Sequence, residues 1–124
     1  MTSTPASAND TGITLEQAAQ GFAAIGSEPR LAVLRALVRA GPEGLSVGEI
    51  QKRLEIAAST LTHHLRFLAS AGLIEQTRDG RVIRNRAAFA RVEALAAYLL
   101  SECCAERGGH AQTCPHGRAV GETL

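Results

Sequence analysis

At 124 residues, with 45% hydrophobic and 3% aromatic content, the chain suits a single domain whose modest core is packed by Leu, Ala, Val and Ile. A net charge of +1 excludes a uniformly basic or acidic binder, and no apolar run approaches the ~20 residues needed to span a bilayer. With no basic-then-apolar leader either, the expectation is a cytoplasmic protein with no membrane partner.

The charge is unevenly spread. Residues 51–91 hold eight Lys or Arg against three Asp or Glu, a net +5, while residues 1–50 and 92–124 each come to −2. Phosphate neutralisation needs local density of this kind, so a polyanion is expected to meet the middle of the chain.

Residues 1–12, MTSTPASANDTG, are small and polar without periodicity and are expected to be disordered. The folded unit is expected over 13–105. Thr14 and Gln17 have capping-box spacing, and Leu15, Ala18, Ala19 and Phe22 line one face of a helix running to about Ile25. Gly26-Ser27 breaks it, Ser27 or Glu28 caps the next helix, and Pro29 sits in its first turn. Leu31, Leu34, Leu37 and Val38 then make a core helix ending at Gly41-Pro42.

Residues 46–72, SVGEIQKRLEIAASTLTHHLRFLASAG, read as two short helices joined by a tight turn, a helix-turn-helix. Ser46 and Glu49 form a second capping box, and Val47, Ile50 and Leu54 recur on one face. In the second helix Leu61, Leu65, Leu68 and Ala69 share a stripe, which turns Ser59, Thr62, His63, Arg66 and Ser70 outward. Small hydroxyls, an imidazole and a guanidinium at the start of such a helix suit base edges and phosphates in a major groove. His64, about 60° off the apolar stripe, is expected to be packed. Ala57 and Ala58 supply no polar cap, so Ser59 or Thr60 is expected to cap this helix.

In LIEQTRDGRVIRNR two extended runs flank Asp79-Gly80, the signature of a tight hairpin, crowded by Arg78, Arg81, Arg84 and Arg86. A hairpin after a recognition helix is a wing, able to reach phosphates or a minor groove.

With SEPRLAVLRAL, LTHHLRFLASAGLI and RDGRVIRNRA in this order, residues 22 to about 104 resemble the ArsR family of winged-helix repressors. The resemblance implies a fold that is mainly α with a small β-hairpin, a winged helix-turn-helix dimerised through its N- and C-terminal helices. It also implies a homodimer on a palindromic operator, released when an effector binds. The DNA contacts expected are Ser59, Thr60, Thr62, His63, Arg66, Arg78, Arg81 and Arg84.

Phe89, Val92, Leu95, Ala96, Leu99 and Cys103 share one side of a helix over about 88–105, roughly 25 Å long and suited to a dimer seam. Gly108-Gly109 ends it, and residues 106–124 form a tail with no hydrophobic period. All three cysteines, Cys103, Cys104 and Cys114, lie within twelve residues there, at a spacing unlike a zinc ribbon. Three thiolates suit a soft, three-coordinate centre, trivalent arsenic or antimony. Some arsenite-responsive family members resemble this pattern, with a vicinal pair ending the last helix and a third cysteine downstream.

The expected function is therefore a dimeric transcriptional repressor released from its operator by arsenite or an organoarsenical. Alternatives are zinc or cadmium held with His110 or His116, a thiol-redox switch, and a metalloid-buffering or protein-interaction module without DNA binding. No Ser, His and acid set, Gly-rich phosphate loop or carboxylate pair stands out, so an enzyme is not expected.

Overall fold

The computed structural model describes residues 12–107; the expectation of disorder before Gly12, and those on His110, Cys114, His116 and the tail from residue 108, lie outside the described residues. Among the described residues five α-helices accompany a three-stranded sheet. Thr14 starts α1 (Leu15–Ala24) through a reciprocal box: its hydroxyl accepts from the Gln17 N–H at 3.0 Å, and the Gln17 side chain accepts from the Thr14 N–H at 2.9 Å. Ser27 caps α2 (Glu28–Ala40), with Pro29 in its first turn, and Gly41 ends it at φ 83°.

Ser46 and Glu49 close the second box, at 3.2 and 2.8 Å, on α3 (Val47–Leu54). Glu55 then takes the left-handed conformation at φ 56°, and Gln51 Nε2 bridges the turn to the Ile56 carbonyl at 3.3 Å. These two features turn the chain into α4 (Ala58–Ser70). The helix-turn-helix therefore forms as its sequence indicates.

The hairpin does not stand alone. A short strand β1 (Leu45–Ser46) pairs with β3 (Val82–Ala87), which pairs with β2 (Ile74–Asp79), all antiparallel in the order β1-β3-β2. Two residues are too few to give a period-2 pattern, so β1 left no signal in the sequence. Gly44 makes it possible: at φ 68° it lies so close to β3 that a Cβ would run into the Asn85 carbonyl. Fully buried Asn85 crosses all three strands, donating from Nδ2 to the Leu45 carbonyl at 3.2 Å and accepting from Gln76 Nε2 at 2.7 Å. Because Asp79 pairs with Val82, the turn residues are Gly80 and Arg81, one place later than Asp79-Gly80; Gly80 holds the positive φ of 70°.

The core differs from expectation in which helix faces it takes. On α2 the buried residues are Val33, Leu34, Ala36 and Leu37, while Leu31 and Val38 are exposed. On α1, small Ala18, Gly21 and Ala24 face inward, and Leu15 is 72% exposed. Gly21 is what allows this, since a Cβ there would strike the Leu95 side chain. A helix with apolar residues on two sides offers periodicity alone no way to choose between them.

The last helix, α5 (Phe89–Leu100), is 12 residues, or about 18 Å, shorter than the span to 105 expected for it. Cys103 lies beyond its end, Ala94 and Leu95 face the core, and Leu99 is 70% exposed. Among the described residues no helix is long and apolar enough to cross a membrane.

Candidate nucleic-acid interface

Leu61, Leu65 and Leu68 bury one side of α4 against the scaffold, which leaves the opposite side for solvent. Ser59, Thr60, Thr62, His63 and Arg66 are all exposed there. The Ala57 cap position has no side-chain hydrogen bond, so neither Ser59 nor Thr60 caps the helix as expected; both hydroxyls lie in its first turn. The first-turn N–H groups and the positive end of the helix dipole sit beside those hydroxyls, an arrangement suited to a phosphate oxygen.

In the wing, register and the two-residue period put Arg78 on the face shared with Ile83 and Asn85, and Arg84 and Arg86 on the other. Arg78 and Arg81 are exposed. Arg84 is engaged within the protein: its Nη1 stands 3.4 Å from Glu49 Oε1 and donates to the Gly44 carbonyl at 3.3 Å. Arg86 donates to the Thr77 hydroxyl at 2.9 Å. Seven of the eight residues expected to meet DNA are thus exposed, and Arg84 braces the wing against α3. The Glu49 carboxyl is held below its ordinary pKa chiefly by the hydrogen bond from the Ser46 backbone, with Arg84 adding to it.

Two residues not singled out by the sequence frame the α4 face. The Arg30 guanidinium lies 4.4 Å from the centroid of the Phe67 ring, and Phe67 meets the His63 imidazole edge-on at 5.4 Å. His64, half-buried as expected, has an Nδ1 with no hydrogen-bond partner among the described residues. Its pKa is lowered, first by desolvation and then by Arg30 and His63.

Past the carboxyl end of α5, the Cys103 and Cys104 sulfurs lie 3.6 Å apart and are half-buried. On a regular helix adjacent side chains diverge by 100°; here the chain has left α5, and Cys104 adopts φ 62°. That left-handed residue lets two neighbouring thiols converge. Among the described residues no group of three or more His, Cys, Asp or Glu could hold a metal ion.

Two hydrogen bonds hold the amino end of α5, one to the residue that closes α4 and one to the residue before β2. Arg91 Nη1 donates to the Ala71 carbonyl at 3.2 Å, and the Ala88 N–H donates to the Leu73 carbonyl at 2.8 Å.

A family model described as a helix-turn-helix domain matches residues 25–77. An uncharacterized HTH-type transcriptional regulator of Bacillus subtilis (strain 168), YceK, is 40% identical over 63 residues, 51% of this chain. The chain spans 62% of that relative's length. The crystal structure of an ArsR family transcriptional regulator superposes with a TM-score of 0.61 at 30% identity, covering 73% of this chain and 90% of the other. A solution structure from Mycobacterium bovis, a homodimeric winged helix-turn-helix DNA-binding domain of a possible ArsR-family regulator, gives a TM-score of 0.58 at 26% identity, covering 83% and 91%.

Proposed function

The chain belongs to the ArsR family of DNA-binding transcriptional regulators, and from that premise we propose that it is a homodimeric cytoplasmic repressor released from a palindromic operator by trivalent arsenic. The reading of DNA rests on the exposed face of α4 beside the arginine-bearing wing. Thr62, His63 and Arg66 meet base edges, Ser59 and Thr60 meet the backbone at the start of α4, and Arg78 and Arg81 reach phosphates flanking the groove.

Dimerisation is supported by the apolar side chains that α1, α2 and α5 leave exposed, Leu15, Leu31, Val38 and Leu99 among them, and by the homodimeric relative. Two copies of α4 then address half-sites about 34 Å apart.

The single observation that carries the effector half is the 3.6 Å separation of the Cys103 and Cys104 sulfurs. A vicinal dithiol of this reach chelates a soft centre, with Cys114 as a third donor for inorganic arsenite or antimonite. When bound, trivalent arsenic supplies a thiophilic centre that exchanges oxygen ligands for thiolates. A monosubstituted organoarsenical keeps one position for carbon and needs the pair alone. Each thiol proton leaves with a displaced hydroxyl as water, so the exchange releases no net proton.

α5 carries the cysteines just beyond its carboxyl end, and near its amino end Arg91 holds the carbonyl of Ala71, the residue that closes α4. A shift of α5 therefore alters the setting of α4. The test is anisotropy on a labelled duplex from upstream of the coding region: tight, salt-dependent binding, weakened about 5- to 150-fold by arsenite, is expected.

A further inference from the structure

Arg30 belongs to α2 and stands 33 positions before His63, yet the two are joined through a single ring. On one side the guanidinium is fixed by the end of α1: Nε donates to the Ala24 carbonyl, and Nη2 reaches the Ala23 carbonyl at 3.5 Å. These carbonyls belong to the last turn of α1, where the dipole favours a cation; the Ala23 carbonyl also accepts from the Gly26 N–H at 3.3 Å. On the other side the guanidinium lies 4.4 Å from the Phe67 centroid.

Phe67 is the i+4 neighbour of His63 on α4, and its ring meets the imidazole edge-on, at 76° and 5.4 Å between centroids. The ring is 45% exposed, so core packing alone does not hold it in place. What flanks it is a cation on one face and an imidazole at its edge.

We propose that Arg30 is a positioning residue for DNA reading: by clamping the Phe67 ring between α1 and α4 it fixes the imidazole of His63 on the base-reading face. The inference rests on the DNA-binding reading above, and it adds a specificity-determining role for two residues outside the groove-facing set. Arg30 itself meets no phosphate. Its planar fork satisfies the α1 carbonyls and stacks on the ring at once, which a lysine cannot do. His64, whose pKa is lowered first by desolvation and then by Arg30, stands beside this clamp.

The test uses the full-length protein on its upstream duplex, with a non-specific duplex of equal length as the reference. Arg30→Gln and Phe67→Leu are each expected to reduce the ratio of specific to non-specific affinity about 2- to 5-fold, the range of one partly exposed cation–ring interaction. Phe67→Tyr keeps the ring and is expected to retain the wild-type ratio. The slope of log affinity against log salt should not change in any of them, because every phosphate keeps its cation. The His63 ring-proton resonances of the free protein should shift in both disruptive variants and not in Phe67→Tyr.

A wild-type ratio in Phe67→Leu, or a reduced salt slope in Arg30→Gln, overturns the inference while leaving DNA binding intact. Absence of binding by the wild type to any duplex overturns the DNA-binding reading, and the inference with it.

Discussion

Arg84 Nη1 on the wing and Glu49 Oε1 on α3 lie 3.4 Å apart, and the same carboxylate oxygen accepts from the Ser46 N–H at 2.8 Å. One acidic side chain thus caps α3 and tethers the hairpin that lies beside α4. Both partners are partly solvated, so the ion pair is a guide for the hairpin rather than a large source of stability.

That tether separates the arginines by role. Replacing Arg81 with Ala is expected to lower the slope of log affinity against log salt by about 0.9 for each phosphate no longer neutralised. Arg84→Ala should leave the slope near the wild-type value and loosen the wing, seen as faster amide exchange in β3. Equal slope changes in both variants would show that Arg84 also reaches the backbone of the duplex.

The approach of Gly44 to Asn85 makes the sheet sensitive to one methyl group. Gly44→Ala combines a left-handed backbone with overlap against a carbonyl, and a loss of about 2–5 kcal/mol is expected. For a domain of this size that lowers the melting temperature by more than about 10 °C. Calorimetry checks it; a variant melting with the wild type would mean that β1 contributes nothing to the fold.

His64 ties stability to pH. Its folded-state pKa lies below the ordinary 6.5, chiefly through desolvation, with Arg30 and His63 adding to it. The unfolded chain therefore takes up the proton first as pH falls. The contribution of neutral His64 is whole above pH 6.5 and declines as pH drops below that value toward the folded pKa. Melting temperature from about pH 7.5 to about pH 5 should fall more steeply for the wild type than for His64→Gln, and parallel curves would remove His64 as the cause.

Much of the fold was legible in the residues because local chemistry decided it. Both capping boxes, the Ser27 cap, the Gly41 stop and the stripe of Leu61, Leu65 and Leu68 depend on neighbours a few positions away. What was not legible depends on distant partners. The inward face of α1 follows from the fit of Gly21 under Leu95, and β1 exists because Gly44 admits Asn85. The end of α5 likewise follows from the turn that brings Cys104 to Cys103, where helical periodicity alone carries the stripe on to Cys103.

The exposed face of α4 was readable, since a polar side opposite a leucine stripe needs only the helical period. The internal role of Arg84 and the clamp of Arg30 on Phe67 were not, because both join residues more than 30 positions apart.

The most direct measurement is release from the upstream duplex, followed by anisotropy as arsenite or a monosubstituted arsenical is added, for the wild type, Cys103→Ser/Cys104→Ser and Cys114→Ser. All three are expected to bind the duplex alike without effector. The wild type should be released, the pair variant should stay bound at every concentration, and Cys114→Ser should lose the response to inorganic arsenite while keeping that to the organoarsenical. Release of the pair variant at the wild-type concentration would contradict the account.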